Sequence, residues 1–333
     1  DCYFYQRKFP EANTLYQQVA NLGKTGADYA LVQQGLALGL MHKYDQKITV
    51  LEQFIKLYPK SDYVDDALYQ IARSKLQLEK YDEAITVYKK LLKQYHNSPL
   101  GAKASLELAM TCRSLNLNKE AIEAYKQTIQ KYPNTNEAYS ALDGMEQVYV
   151  ETNNVSEYIA YTKTLKTINT KSVTQEDSLI YVTAELQYMM NNYEQAAAGF
   201  TTYLTRFCPG GRYCLNATYY AANSYYQLEQ YDQAKELFIN LTDIEGNPYM
   251  ETACMRVAEL SYDNKDFTTA LDYFQRMHKV VSNQQMNQIA LLGMLRCSYF
   301  VKNNLATITH ATEILAIDGL SATIRNEALY YRA

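Results

Sequence analysis

Residues 80–92 read KYDEAITVYKKLL, and variants of this phrase recur along the chain. Each variant has an aromatic residue or Leu at its start or beside it, continues with two or three polar residues and an Ala, and then carries apolar residues three to four positions apart. The other copies are NKEAIEAYKQTI from Asn118, NYEQAAAGFTTYL from Asn192, QYDQAKELFINL from Gln230 and DFTTALDYFQRM from Asp266. Self-similarity at a regular spacing predicts an array in which one supersecondary unit is stacked many times.

The position that holds the small residue of this phrase recurs every 35 to 38 residues along the chain. The nine aligned residues are Ala12, Lys47, Ala84, Ala121, Tyr158, Ala196, Ala234, Ala270 and Ile308. Twelve residues earlier, six of the nine units carry a second small residue, and these are Gly35, Ala72, Ala109, Ala184, Ala222 and Ala258. Small residues on both helices allow two helix axes to approach to about 8–10 Å. Each unit is therefore predicted to be a pair of amphipathic helices.

Aromatic residues and prolines complete the pattern. An aromatic residue follows the aligned Ala by four positions in most units, as at Tyr88 and Phe200, and Pro59 and Pro133 stand near the predicted ends of second helices. These features resemble the tetratricopeptide repeat, and the resemblance covers essentially the whole chain. It implies an all-α fold, a right-handed α-α superhelix (solenoid) of about nine helix pairs.

The links between units carry a second resemblance. KLYPKSDYVDDAL from Lys56 and QKYPNTNEAYSAL from Gln130 are similar to links of bacterial cell-envelope tetratricopeptide proteins, of the Tol-Pal-associated and outer-membrane-assembly lipoprotein types. This resemblance implies a periplasmic or envelope-associated protein, with a cytoplasmic location as the alternative. Within these links, Ser98-Pro99 and the pair Asn134 and Glu137 are predicted to begin helices.

Two units depart from the pattern. In the fifth, Tyr158 and Glu146 replace both small residues, and the polar link TINTKSVTQEDS follows from Thr167. We expect a change in the superhelical path near residues 167–175, which divides the chain into an N-terminal array (1–170) and a C-terminal array (171–333). One continuous superhelix is the alternative. In the ninth unit the paired positions hold Arg296 and Ile308, which predicts an unusual crossing.

Composition and charge narrow the class of protein. With 12 Gly and 6 Pro in 333 residues, turn signals are few, which favours helices. The 32 basic and 36 acidic residues are interspersed and give a formal net charge of −4, so nucleic acid binding is not indicated. The longest apolar run, residues 289–301, is too short to span a membrane and contains Arg296. Both ends of the sequence fall inside predicted helices, and we expect a fragment of a longer protein.

No catalytic or metal-binding pattern accompanies the repeats. The four histidines fall in different units, without an HExxH motif, a Cys/His quartet or a serine elbow. Gly210-Gly211 lacks the preceding strand and the following Lys-Ser/Thr of a phosphate-binding loop and is predicted to be a turn. We therefore predict no enzymatic activity, no metal and no cofactor.

The resemblance also implies where a partner binds. In the tetratricopeptide family the first helix of each pair lines the concave face, and a few of its exposed positions contact ligands. Carried over to this chain, three rows of positions are implied: Tyr181, Glu185 and Tyr188; Tyr219, Asn223 and Tyr226; and Met255, Glu259 and Tyr262. The family's carboxylate clamp, with Lys and Asn at the first two positions, is absent here because Tyr219 precedes Asn223.

These rows favour a non-catalytic scaffold that binds a peptide or protein segment, since a phenol combines apolar area with a hydrogen-bonding group. Because the chain has 33 tyrosines, packing between helices is the expected role of most of them. A carbohydrate- or cell-wall-binding envelope protein is the alternative, because tyrosines also stack on sugar faces. The sequence does not specify the partner or the oligomeric state.

The cysteines divide into two groups. Cys112, Cys254 and Cys297 lie on apolar helical stripes and are predicted to be small core residues. Cys208 and Cys214 bracket a Pro-Gly-Gly turn in the stretch RFCPGGRYCLN, so Cys208 is predicted to close a second helix and Cys214 to begin a first helix. A disulfide between them is one interpretation, and a low-pKa thiol at the helix start is the other.

Overall fold

The computed structural model describes residues 1–165, 173–281 and 283–333. Within these ranges the chain forms nineteen α-helices and no strand, which confirms the predicted all-α class. The chain divides into two compact units, Asp1–Thr170 and Lys171–Ala333, which we call the N-terminal and C-terminal units. The link predicted to change the path of the array lies mostly outside the described residues.

Ten helices form the N-terminal unit. They are α1 (Cys2–Tyr5), α2 (Phe9–Asn21), α3 (Ala27–Leu40), α4 (Tyr44–Leu57), α5 (Val64–Gln77), α6 (Tyr81–Gln94), α7 (Gly101–Ser114), α8 (Asn118–Lys131), α9 (Asn136–Glu151) and α10 (Val155–Thr164). Each helix packs against the next along the chain. The helices that precede the repeated phrase are the odd-numbered ones, called first helices below, and the helices that contain it are the even-numbered second helices.

Nine helices form the C-terminal unit in the same alternation. They are α11 (Val173–Met189), α12 (Tyr193–Phe207), α13 (Cys214–Gln227), α14 (Tyr231–Thr242), α15 (Met250–Asp263), α16 (Phe267–Val280), α17 (Gln284–Phe300), α18 (Asn304–Leu315) and α19 (Ala322–Arg332). Here too, consecutive helices pack against each other. The predicted array of helix pairs is thus present in both units, as expected for a tetratricopeptide-type solenoid.

Small residues allow the helices of a pair to approach each other. Ala72 on α5 and Ala84 on α6 are fully buried, as the crossing requires. In the preceding pair, a Cβ added to Gly35 would lie 2.6 Å from Cδ2 of Leu51, so any larger residue there would displace the Leu51 side chain. The aromatic residues four positions after the aligned Ala, such as Tyr88 and Phe200, are also fully buried. Neighbour packing therefore supplies most of the stability of each helix.

One backbone conformation marks every turn from a first to a second helix. Two residues before each second helix begins, φ lies between 56° and 61°, in the left-handed region. The nine residues are Arg7, His42, Glu79, Asn116, Asn153, Asn191, Glu229, Lys265 and Lys302. As in the Schellman pattern, the amide of the residue that follows the left-handed one donates back to a carbonyl of the first helix, as Lys80 N does to Lys75 O at 2.9 Å. These turns therefore fix the register of each repeat independently of side chains.

This marker corrects the sequence alignment of the ninth unit. In the other eight units the aligned residue stands five positions after the left-handed residue, which gives Thr307 after Lys302 rather than Ile308. Thr307 is 4% exposed, whereas Ile308 is 48% exposed. The residue twelve positions before Thr307 is Leu295, which is fully buried. The predicted pairing of Arg296 with Ile308 is therefore wrong by one residue, and the crossing is occupied by buried side chains.

Two predicted helix starts are also corrected. Helix α7 begins at Gly101, and Ser98 instead accepts a hydrogen bond from the amide of Leu100 at 3.1 Å. Helix α9 begins at Asn136 and is capped by Thr135, whose Oγ1 accepts from the amide of Ala138 at 3.1 Å. Asn134 has a φ of 65° and so cannot be the capping residue, which normally has extended backbone.

Candidate functional site

The first row of predicted contact positions lies on α11. Tyr181 is 3% exposed and its ring stacks on Tyr213, with ring centroids 4.3 Å apart and an interplanar angle of 11°. Its hydroxyl donates to Oε1 of Glu185 at 2.8 Å, and burial raises the pKa of the Tyr181 phenol. Tyr181 therefore packs inside the C-terminal unit and does not offer its ring to a partner.

The second row lies on α13 and is partly used for packing. Tyr219 stacks on Tyr249, with centroids 3.9 Å apart, so one face of its ring is covered. Asn223 is 9% exposed and its Nδ2 donates to the backbone carbonyl of Tyr219 at 2.9 Å. Tyr226, the last residue of this row, lines a pocket.

The last tyrosine of each row has a common packing role. It makes an edge-to-face contact with the aromatic residue that begins the next second helix. The pairs are Tyr188 with Tyr193 at 5.6 Å, Tyr226 with Tyr231 at 5.6 Å, and Tyr262 with Phe267 at 5.3 Å between ring centroids. These contacts fix the ring positions without burying them completely.

A pocket of about 470 Å³ opens between α13, α15 and α17 of the C-terminal unit. We call it the C-terminal pocket. Its lining is Tyr226, Arg256, Glu259, Tyr262, Asp263, Phe274, Ile289, Leu292, Gly293 and Arg296. It brings together three of the nine predicted contact residues, Tyr226, Glu259 and Tyr262. Met255 is half-buried and packs against the core, outside this lining.

Arg256 joins two walls of the C-terminal pocket. Its guanidinium carbon lies 4.3 Å from the centroid of the Tyr226 ring, and its Nη1 donates to the Tyr226 hydroxyl at 3.1 Å. The same nitrogen donates to Oε2 of Glu259 at 2.9 Å. The network holds a phenol, a guanidinium and a carboxylate in fixed positions, with the cation neutralised by its neighbour.

Arg296 is also hydrogen bonded to a carboxylate, which comes from a helix outside the pocket lining. Its Nε and Nη2 donate to the two carboxylate oxygens of Glu327 on α19, at 2.6 and 2.9 Å. This bidentate hydrogen bonding raises the pKa of Arg296, and burial raises the pKa of the nearby Tyr262 phenol. At neutral pH the pocket therefore presents a neutral phenol that can donate or accept a hydrogen bond, together with a permanent, compensated cation.

The rest of the pocket is apolar. A Cβ added to Gly293 would lie 2.6 Å from the Phe274 ring, so the glycine lets the ring reach the pocket floor. Ile289 is 38% exposed, and Leu292 is half-buried beside it. The pocket thus combines apolar surface with a small number of positioned polar groups, the usual make-up of a binding site.

Sequence reasoning missed Leu292 and Arg296 for a definite reason. Counted from Leu295, they stand at the same repeat positions as Met255 and Glu259 do from Ala258. No contact row was predicted for the ninth unit, so neither residue was among the predicted contact positions. Arg256 was missed because its position, two before Ala258, was not counted among the contact positions.

The cysteines are placed as follows. Cys208 follows the last residue of α12, Cys214 begins α13, and the two are joined by a disulfide in the structure. Cys112, Cys254 and Cys297 are free and buried, as predicted. Burial raises the pKa of Cys254 to about 11 and that of Cys297 to about 12, which keeps both thiols protonated and unreactive.

Two kinds of feature are absent from the described residues. No group of three or more His, Cys, Asp or Glu side chains there is arranged to hold a metal ion. None of the helices in the described part of the chain is both long enough and apolar enough to cross a membrane.

Comparison with known families identifies the repeats. Family models of the tetratricopeptide repeat match residues 29–61 and 69–135 in the N-terminal unit and residues 216–243 in the C-terminal unit. The chain therefore contains tetratricopeptide repeats. No curated protein matches the chain by sequence.

Several solved structures match the chain at low sequence identity. A chain in the structure of Naa15/Naa10 bound to HypK-THB is 12% identical; the match covers 99% of this chain but 64% of that one, with a TM-score of 0.49. A tetratricopeptide repeat protein from Parabacteroides merdae is 14% identical, with 80% and 98% covered and a TM-score of 0.39. Pseudomonas aeruginosa pilF is 14% identical, with 81% and 98% covered and a TM-score of 0.35.

Proposed function

We propose that this chain of tetratricopeptide repeats is a non-catalytic scaffold that binds a peptide or protein segment in the C-terminal pocket. The observation that supports this most is the joining of Tyr226, Glu259 and Tyr262 in one pocket with exposed apolar surface at Ile289. An apolar side chain of the partner would occupy the floor beside Ile289 and Leu292. Its backbone would hydrogen bond with the Tyr262 hydroxyl and the carboxylate of Glu259.

The fixed geometry of the pocket favours this function. Arg256 and Arg296 are already held by carboxylates, at 2.9 Å and at 2.6 and 2.9 Å, so their side chains need not be ordered when a ligand arrives. Ordering one mobile side chain on binding costs about 0.5–1.5 kcal/mol. Because both cations are compensated, we infer that the partner segment is recognised by shape and hydrogen bonding rather than by net charge.

We also propose a role in the cell envelope, in assembly or maintenance, with a periplasmic location. The disulfide between Cys208 and Cys214 supports this, because disulfides persist in oxidising compartments and are rare in the cytosol. The similarity of the inter-repeat links to those of Tol-Pal-associated and outer-membrane-assembly lipoproteins supports the same location. Labelling of cells with a thiol reagent under denaturing conditions tests it: Cys208 and Cys214 should react only after reduction, and reaction without reduction would indicate the cytosol.

The domain division is part of the proposal. We infer that residues 1–170 and 171–333 are separate arrays, and that the peptide site belongs to the second. Limited proteolysis tests this inference, since cleavage between the arrays should leave two resistant fragments.

A selection experiment with a matched pair of variants tests the peptide site. Peptides are selected from a random displayed library on the intact chain, and their affinity is then measured for two variants. Ile289→Glu places a charge on the pocket floor and should weaken binding at least about tenfold, whereas Ile308→Glu changes an exposed isoleucine outside the pocket and should not. Tyr262→Phe, which removes only the hydroxyl, should weaken binding by about three- to tenfold.

The outcomes separate the proposed function from its alternative. Selection of no peptide, or equal binding to both isoleucine variants, would refute the peptide site. Retention of cell-wall glycan fragments by the intact chain but not by Ile289→Glu would instead support a carbohydrate-binding protein.

A further inference from the structure

Lys47 occupies a position at which most repeats have Ala. It stands five residues after the left-handed residue His42, where the corresponding residues Ala84, Ala121 and Ala196 are almost completely buried. Lys47 is itself only 6% exposed. Burial of a lysine charge at a helix crossing is unfavourable, so the groups around its ammonium must account for the presence of Lys47 there.

The ammonium of Lys47 has a neutral partner. Its Nζ donates to Oε1 of Gln70 at 2.7 Å, and among the described residues it forms no ion pair with a carboxylate. Lys75 on the next first helix makes the opposite arrangement. It is 9% exposed, and its Nζ pairs with the Glu83 carboxylate at 2.5 Å. Two similarly buried lysines in one unit thus differ in whether the chain supplies a counter-charge.

Lys47 lies in a pocket with a second cation. The pocket has a volume of about 420 Å³ and opens between α3, α4 and α5. Its polar lining is Tyr44, Lys47, Gln70, Arg73, Ser74 and Gln77, and no acidic residue belongs to the lining. We call it the N-terminal pocket.

Arg73 is available to a ligand. Its side chain is 55% exposed, and its Nε lies 3.8 Å from Oε1 of Glu107, too far for a hydrogen bond. Glu107 instead accepts hydrogen bonds from the hydroxyls of Tyr69 and Tyr88. The guanidinium therefore retains most of its donors for a group in the pocket.

Besides Lys47 and Arg73, no charged residue belongs to the lining of the N-terminal pocket. Helix α3 contributes Leu36, Gly39 and Leu40, and α1 contributes Phe4. Helix α4 contributes Tyr44, whose hydroxyl is hydrogen bonded with Nδ1 of His42 at 2.9 Å. Burial and the charge of Arg73 lower the pKa of Lys47 from 10.5 to about 8. The pocket thus holds excess positive charge that no residue of its lining offsets.

We propose that the N-terminal pocket binds a small oxyanion, a carboxylate or a phosphate group, between the Lys47 ammonium, the Arg73 guanidinium and the amide NH2 of Gln70. Gln70 uses its oxygen for Lys47, so its two N–H donors remain for the ligand. An oxyanion would supply the counter-charge that Glu83 supplies for Lys75. This site belongs to the N-terminal unit and does not depend on peptide binding in the C-terminal pocket.

Binding of an oxyanion favours the protonated form of Lys47. An oxyanion interacts with the charged form of Lys47, so binding raises the pKa of this lysine and takes up protons above pH 8. Affinity should therefore be constant below about pH 7 and fall as the pH rises through 8.

Calorimetric titration of the intact chain with acetate, succinate and inorganic phosphate, in a low-salt buffer at pH 7, tests the proposal. We expect a dissociation constant of about 1 mM or tighter for at least one of the three anions. Lys47→Met should weaken it at least about tenfold, and Arg73→Gln by about three- to tenfold. Lys75→Met, the matched control, should leave it unchanged.

The calorimetric titrations have outcomes that support the proposal and outcomes that overturn it. Binding of acetate or succinate alone identifies a carboxylate site, and binding of phosphate alone identifies a phosphate site. Binding of none of the three, retention of full affinity in Lys47→Met, or equal loss in Lys75→Met would overturn the proposal. If Lys47→Met does not fold, as judged by its circular dichroism, Arg73→Gln decides alone, because this exposed side chain can be changed without disturbing the core.

Discussion

The N-terminal and C-terminal pockets occupy equivalent places in the repeat, and they differ in charge. Each opens between successive first helices and contains two cationic side chains, Lys47 and Arg73 in one and Arg256 and Arg296 in the other. In the C-terminal pocket both cations are hydrogen bonded to carboxylates, those of Glu259 and Glu327. In the N-terminal pocket Lys47 is hydrogen bonded to the neutral Gln70, and Arg73 lies 3.8 Å from Glu107 without a hydrogen bond.

The difference shows how one scaffold position can serve two chemistries. Residues at the same repeat positions can be varied without changing the helices that carry them, because the crossing residues and the turns fix the backbone. A pair of cations that are both hydrogen bonded to carboxylates gives a site that discriminates by shape and hydrogen bonds, whereas a pair in which one cation has only a neutral partner gives a site for an anion. Four experiments can break or sharpen this comparison.

The largest expected effects are changes of opposite sign in the free energy of unfolding when a cation of each pocket is replaced by Met. Lys47→Met should raise the free energy of unfolding by about 1–3 kcal/mol at pH 7 in buffer without binding anions, because it removes an uncompensated buried charge. Arg296→Met should lower it by about 1–2 kcal/mol, because it leaves the half-buried Glu327 carboxylate without its partner. Urea unfolding followed by circular dichroism measures both.

Arg276→Met is the control for this pair. Arg276 makes an exposed ion pair with Asp272 at 2.9 Å, and its loss should change stability by less than about 0.5 kcal/mol. A loss of stability in Lys47→Met comparable to that in Arg296→Met would show that the two pockets do not differ in charge compensation.

The second experiment varies pH. The folded-state pKa of Lys47, about 8, lies below its ordinary value of 10.5, so between these values the unfolded chain retains a proton that the folded chain has lost. The free energy of unfolding therefore rises with pH in this window, and from pH 7.5 to 9.5 the wild type should gain about 2 kcal/mol relative to Lys47→Met. Parallel pH profiles for the two proteins would contradict the lowered pKa.

The third experiment compares two inter-repeat links. The link before α13 contains the Cys208–Cys214 disulfide, whereas the corresponding link before α5, LYPKSDYV, has no cysteine. Replacing both cysteines by Ser should lower the stability of the C-terminal unit by about 2 kcal/mol, since closing a short loop restricts the unfolded chain. Urea unfolding with and without a reducing agent measures this. A reductant that destabilises the double-serine variant as much as the wild type would contradict the explanation.

The smallest expected effect tests what the two units share. Glu79 and Glu229 both have φ near +58°, at 57° and 58°, where a side chain is strained. Glu79→Gly and Glu229→Gly should each raise stability by about 0.5–1 kcal/mol. Glu236→Gly, inside α14 on an exposed face, should lower it by about 1 kcal/mol. Equal losses in all three variants would show that the turns do not relieve strain in this way.

The helix pairs could be predicted because burial follows the sequence period directly. Ala84 and Tyr88 lie on the same helix face four residues apart, and both are fully buried. The same rule failed in the ninth unit, where an apolar residue at Ile308 and a polar one at Thr307 exchange their expected exposures. The feature that fixes the register there is the backbone of Lys302, and nothing in a lysine side chain signals a left-handed conformation.

The candidate sites were less predictable because they depend on residues far apart in the chain. Tyr181 was expected to contact a partner, but Tyr213 in the following link covers its ring. The sequence marks Lys47 as an exception to the small-residue pattern. It does not show that Gln70, 23 residues later, will be its hydrogen-bond partner, since that contact depends on how α4 packs on α5.

The left-handed turn residue has a consequence for how such a chain can change its length. Because the same backbone conformation recurs at nine places, one full period that includes only one of the turn residues, such as residues 192–229, can be duplicated or deleted with both junctions preserved. An insertion inside a helix would instead place a helical residue in the left-handed position, which costs about 1–2 kcal/mol. The links between repeats already differ in length by up to three residues, as the spacing of 35 to 38 residues shows. Large changes of length therefore come as whole repeats, and each added repeat supplies one more pocket whose charges can diverge from those of its parent.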